Sequence, residues 1–76
     1  MKLKALISNV KICADISILT QKSEDPEAYE QAFFCRPDGT ATPDDFPGKL
    51  LKLNVAQIQA DYEKGSGVYL SIFCDP

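Results

Sequence analysis

The 76 residues are 45% apolar and 25% charged with a net charge of −3, which describes one small domain with a core near the lower limit of independent stability. This composition excludes disordered and collagen-like chains, and no apolar run approaches the ~20 residues needed to cross a bilayer. Histidine is absent, which removes Ser-His and Cys-His nucleophile pairs and the commonest proton shuttle near neutral pH.

In chain order, "MKLKALISNVKICADISILT" opens like a secretory signal, lysines before apolar residues, but Lys11 and Asp15 interrupt the apolar part. The expectation is strand instead. Leu3, Ala5 and Ile7 alternate with Lys2, Lys4 and Leu6, and from Val10 to Thr20 the even positions Val10, Ile12, Ala14, Ile16 and Ile18 are apolar. Period two with β-branched residues is the signature of a half-buried strand.

"SEDPEAYEQAFF" reads two ways. Asp25, Pro26 and Glu27 have the makings of a helix start, whereas Tyr29, Phe33 and Cys35 share a strand face; the strand over Ala28–Cys35 is the preferred reading. "RPDG" then looks like a hairpin turn, with Gly39 supplying a positive φ. In "TATPDDFPG" Thr42 is placed to cap a single helical turn whose first residues are Pro43, Asp44 and Asp45. Leu51, Leu53 and Val55 alternate as a short strand. A helix is expected over residues 55–64, because Val55, Ile58 and Tyr62 keep a helical period, Asn54 and Gln57 resemble a capping box, and Gly65 ends the run.

The last segment, "VYLSIFCD", puts Val68, Leu70, Ile72 and Cys74 on one face and Tyr69, Ser71, Phe73 and Asp75 on the other. Apolar bulk on both faces points to a central strand or an interface. The fold class expected is α+β: a small, mostly antiparallel sheet of four to six short strands with one packed helix near residues 55–64, as a single domain over 1–76.

Cys13, Cys35 and Cys74 are an odd number without a Cys-x-x-Cys pair. They are expected to be free thiols behaving as small apolar groups, which favours a cytoplasmic location, with a single Cys35–Cys74 bridge left open. Phosphate-loop and EF-hand spacings are not met: "GKL" lacks the upstream glycine and the following Ser or Thr, and Asp38 directly precedes Gly39 without the remaining calcium ligands. Asp44 and Asp45 are adjacent, but acids in a first helical turn already have a structural reason to be there. Lys2, Lys4 and Lys11 carry no interleaved arginine or aromatic residue, so nucleic acid is not an expected partner. No catalytic residue, cofactor or metal site is expected, and an enzyme is not.

Charge is the remaining signal. Residues 23–48 carry seven carboxylates against Arg36 alone. Glu24, Asp25, Glu27, Glu30, Asp38, Asp44 and Asp45 are the candidate partner-binding residues of a non-enzymatic protein-binding module that docks another protein with a basic surface. In size and charge the chain is similar to the small acidic inhibitor proteins that phages and mobile elements direct against host enzymes, a likeness that no motif carries. The alternative is a structural homo-oligomer whose Tyr69 and Phe73 pair across a symmetry axis.

Overall fold

The structure, a computed structural model, describes residues 1–22 and 25–76, and the side chains of residues 25–27 also lie outside the description. It is an α+β domain of one mixed four-stranded sheet and one main helix. Helix α1 spans Leu3–Asn9, β1 Asp15–Lys22, β2 Asp25–Cys35, a 3-10 turn Pro43–Asp45, the single-turn helix α2 Gly48–Leu51, β3 Asn54–Glu63 and β4 Gly67–Asp75. The strand order is β2-β1-β4-β3. The central pair β1/β4 is parallel, while β2 and β3 flank it antiparallel as the two edges.

The strand expected at the N-terminus is a helix. Leu3, Ala5 and Ile7 do alternate, but Leu6 would then be an apolar side chain on the polar face, whereas Leu3, Leu6 and Ile7 together keep the spacing of one helical stripe. All three are buried in α1. Before the helix, the first residues add a short antiparallel rung to the outer edge of β3: Val55 N–H donates to the Met1 carbonyl and Leu3 N–H to the Leu53 carbonyl, each at 2.8 Å.

The helix expected over 55–64 is the edge strand β3. A bulge explains the misleading period. Val55 pairs with Cys74 and Gln57 with Phe73, so Ala56 is an extra residue that shifts the alternation by one. Val55 before the bulge and Ile58 and Tyr62 after it therefore share a sheet face at spacings of three and four, as they would on a helix. Gly65 ends the strand instead, in the β3–β4 turn, where its φ is +92°. The strand reading of Ala28–Cys35 holds, but Tyr29 does not share the face of Phe33 and Cys35, because the pairing with β1 skips Ala32 and puts Tyr29 on the opposite side. The "RPDG" segment turns, with Gly39 at φ +93°, yet no strand returns from it; the chain runs on into the 3-10 turn, and Ala41 N–H donates to the Ile12 carbonyl at 2.8 Å.

One face of the sheet is closed. Ile16 and Ile18 of β1, Ile72 and Cys74 of β4 and Cys35 of β2 form a cluster with Leu3, Leu6 and Ile7 of α1 and with Ile12, Ala41, Phe46 and Leu50 of the connecting segments. Leu3, Ile16, Ile18, Ile72 and Cys74 are fully buried, each large apolar side chain contributing about 1.5–3 kcal/mol by leaving water. The helical layer stops short of the β3 side: Ile58 pairs with Ile72 on this same face but is 47% exposed, and Tyr62 and Val68 beyond it are 70% and 65% exposed.

The three cysteines are free. Cys35 lies opposite Ile16 and Cys74 opposite Thr20, on either side of β1. Four residues of strand and two strand spacings, about 13 Å by 10 Å, separate them, beyond the ~7 Å Cα limit of a disulfide.

Candidate protein-binding face

The other face of the sheet has no described helix or loop over it. The alternation of β1 and β4 sends Asp15, Ser17, Leu19 and Gln21, and Tyr69, Ser71, Phe73 and Asp75, to this side, opposite the core residues. Strand β2 adds Tyr29, Gln31 and Phe34, and β3 adds Gln57, Gln59, Asp61 and Glu63.

Its relief comes from side-chain size. Ser17 and Ser71 are cross-strand neighbours at the centre and both are buried. They form a low floor between two aromatic pairs. Phe34 and Tyr69 stand at one end, ring centroids 6.2 Å apart at 68°; Tyr29 and Phe73 stand at the other, 5.1 Å apart and nearly perpendicular. Edge-to-face geometry suits the ring quadrupoles and locks the rings in place. Phe34 is 38% exposed, and Arg36 lies over its outer side at 5.6 Å while pairing with Asp15 at 3.2 Å. Asp15, Gln31, Phe34, Arg36 and Tyr69, with Glu63 and Ser66 of the β3–β4 end, border a cleft of about 310 Å³.

The polar floor is internally satisfied. Ser17 Oγ donates to Gln31 Oε1 at 2.8 Å, and Tyr29 Oη donates to Asp75 Oδ1 at 2.7 Å. Along β3 a relay runs from Gln57 Nε2 to Gln59 Oε1 at 3.0 Å and from Gln59 Nε2 to Asp61 Oδ1 at 2.9 Å, and Ser71 Oγ also donates to Asp61. The Ser71 hydroxyl, and after it the Gln59 amide, hold the Asp61 carboxyl below the usual carboxylate value. Donation to Asp75 holds the Tyr29 hydroxyl above its ordinary value, as a neutral donor. Burial pushes the Cys35 thiol up, and the Cys74 thiol to about 11. These shifts stabilise the resting protonation states; none prepares a nucleophile at neutral pH. Among the described residues no three His, Cys, Asp or Glu side chains converge to hold a metal ion.

Tyr69 and Phe73, the aromatic pair singled out on the last strand, are both on this face, and the structure adds Tyr29 and Phe34 to them. Sequence periodicity hid Tyr29 as a member of this face. The register shift between Ile18 and Leu19 on β1 lets two β1 neighbours face Phe33 and Gln31, skipping Ala32, so Phe33 and Cys35 face the core while Gln31 and Tyr29 join Phe34 on the open face. Adjacent aromatics in a strand necessarily point to opposite faces, and that was the available signal for Phe34.

The acidic candidates are distributed over several segments. Glu24 lies outside the described residues, as do the side chains of Asp25 and Glu27. Glu30 is exposed on β2 opposite Thr20, Asp38 is exposed in the loop after β2, and Asp44 and Asp45 are exposed in the 3-10 turn. Asp45 is engaged locally, accepting from Thr42 N–H at 2.8 Å and from the Thr42 hydroxyl at 3.3 Å. Among the described residues no helix is long and apolar enough to cross a membrane. No family model, curated protein or solved structure matches the chain.

Proposed function

We propose that this chain is a non-enzymatic protein-binding module that docks a partner with a basic surface through the open face of its sheet. The observation that carries the reading is a sheet covered on one side only, whose other side holds Tyr29, Phe34, Tyr69 and Phe73 as two braced aromatic pairs around a floor of small polar residues. Aromatic anchors with satisfied polar neighbours are the composition from which interface hot spots are built. Asp61, Glu63 and Asp75 border the aromatics and favour cationic groups opposite them, whereas Asp15 is paired with Arg36. The carboxylates between Glu24 and Asp45 contribute at longer range, steering a basic partner toward the domain. Covering the basic surface of an enzyme, and so inhibiting it, is one form of this reading. The free thiols fit a reducing compartment, which makes the cytoplasm the expected location.

The test is affinity capture from a lysate of the native host with the wild-type chain, then measured binding of the recovered partner to variants. Phe34→Ser and Tyr69→Ser each remove a hot-spot ring, expected to raise Kd by about 30-fold while the circular dichroism spectrum is retained. Charge reversal at Glu27, Glu30, Asp44 and Asp45 is expected to slow association and to lessen its salt dependence. Unchanged affinity in both face variants would refute the open face as the docking surface.

A further inference from the structure

The two edges of the sheet are unequally protected. Strand β2 contains Pro26 and two register shifts, devices that discourage a further strand from adding. Strand β3 has ten residues, no proline and no lysine, and its one bulge, at Ala56, lies near its start. Among the described residues only the Met1–Leu3 rung lies along its outer edge, and that rung ends at Val55.

The direction of the free backbone groups follows from that rung. Val55 is on the helix-side face and sends its N–H outward to Met1. In one strand, residues on the same face present N–H and C=O to the same edge. Ile58, Ala60 and Tyr62, which occupy that face after the bulge, therefore present theirs to the open edge. Their side chains are exposed as well. This stretch offers unpaired donors and acceptors together with an uncovered apolar row, which singly stands as an aggregation hazard and jointly fits a pairing strand.

We propose that the occupant of this edge is β3 of a second copy of this chain, paired antiparallel about a two-fold axis through Ala60. The register is selected by the residues. With Gln59 on the axis, Glu63 of one copy would fall opposite Val55 of the other, whose N–H the Met1 carbonyl already holds. With Asp61 on the axis, two carboxylates would face each other, a repulsive cross-strand pair. With Ala60 on the axis, Ile58 meets Tyr62 across the seam on the helix side, each exchanging backbone hydrogen bonds, while on the open face Gln59 meets Asp61 and Gln57 meets Glu63, amide against carboxylate. No like charges then stand directly opposite each other, and Val55 keeps its bond to Met1. The two sheets become one, with both open faces on the same side, so the dimer enlarges the docking face proposed above without covering it. The contact is independent of that reading, because it uses the edge of β3 and none of the aromatic pairs. A single strand pairing is at the small end of specific interfaces, so the dimer is expected to be in concentration-dependent equilibrium, with Kd of micromolar order.

Sedimentation velocity on the full chain, from low micromolar to about millimolar protein, tests the proposal. The expected result is a reversible shift from monomer to dimer mass. Ala60→Pro removes an outward N–H and leaves the β3–β4 ladder its bonds, so it is expected to raise the dimer Kd at least 100-fold with an unchanged circular dichroism spectrum. Should that variant fail to fold, Tyr62→Lys, at a side chain 70% exposed, places a charge opposite Ile58 and is expected to give a monomer. A wild-type chain that stays monomeric at the highest concentration overturns the proposal, and so does a dimer that persists in a folded Ala60→Pro or Tyr62→Lys variant.

Discussion

Ile18, Ile72 and Ile58 stand in one cross-strand row on the helix side of the sheet, and the first two are fully buried while the third is 47% exposed. Replacing Ile72 by alanine deletes buried carbons from the centre of the core, and such changes cost 2–5 kcal/mol, near the upper half where the site cannot collapse. A chain of 76 residues holds roughly 4–11 kcal/mol at 0.05–0.15 kcal/mol per residue, so about 3–4 kcal/mol is roughly a quarter or more of the whole. With an m-value of about 1 kcal/mol/M in urea, the unfolding midpoint falls by roughly 3 M. Ile58→Ala is expected to cost under about 1 kcal/mol, because its side chain is already half in water. Both are read from urea titrations followed by far-ultraviolet circular dichroism, at a protein concentration where sedimentation gives the monomer mass. Equal costs for the two substitutions would refute the claim that the helical layer covers β1 and β4 and leaves β3 bare.

Two further outcomes follow from the thiols and from Asp61. At pH 8 a thiol reagent is expected to label native Cys13, which is exposed, and to reach Cys35 and Cys74 only after denaturant is added; because the folded Cys74 value is raised from 9 to about 11, its contribution to stability is complete below pH 9 and is lost as pH rises through about 11. Prompt labelling of all three native thiols would contradict the packing. The Asp61 carboxyl is shifted the other way, so its contribution is present above the ordinary carboxylate range and is lost as pH falls through the depressed folded value. Ser71→Ala is expected to weaken that acid-side dependence, seen as a shallower fall in thermal midpoint between pH 5 and pH 2 of about the ordinary carboxylate span, and an unaltered acid limb would show that the Ser71 donor does not set it.

The central character of β4 was legible from its uninterrupted alternation, and the strand at Ala28–Cys35 from its aromatic, strand-favouring residues and the turn signal after it, although its alternation breaks at Ala32. Local pattern failed where one residue changed the phase. Ala56 has no property that announces a bulge, yet it converts the alternation of β3 into a period of three and four, and the expected helix followed from that period. At the N-terminus both periods coexist in seven residues, and only the location of Leu6 separates them. With so short a segment, the deciding energy is tertiary: α1 exists because Leu3, Leu6 and Ile7 together close over Ile16, Ile18 and Ile72.

The functional signal was harder to read for a related reason. Charge density is visible in composition, so the acidic segment between Glu24 and Asp45 draws attention first, but long-range charge acts on encounter rate more than on contact energy. Contact energy resides in side chains gathered from different strands, and that gathering is set by register. Tyr69 and Phe73 are two residues of one strand; only the pairing of β1 with β2 and with β4 brings Phe34 to Tyr69 and Tyr29 to Phe73. The same register fixes the opposite face, because the bulges that bring Tyr29 to the face of Phe34 and Ile58 to the uncovered row cannot be removed without turning side chains to the wrong side of the sheet. An open aromatic face and an apolar edge row are thus two products of one packing solution, in which a helical layer too small for the sheet covers β1 and β4 and leaves the far part of β3 bare.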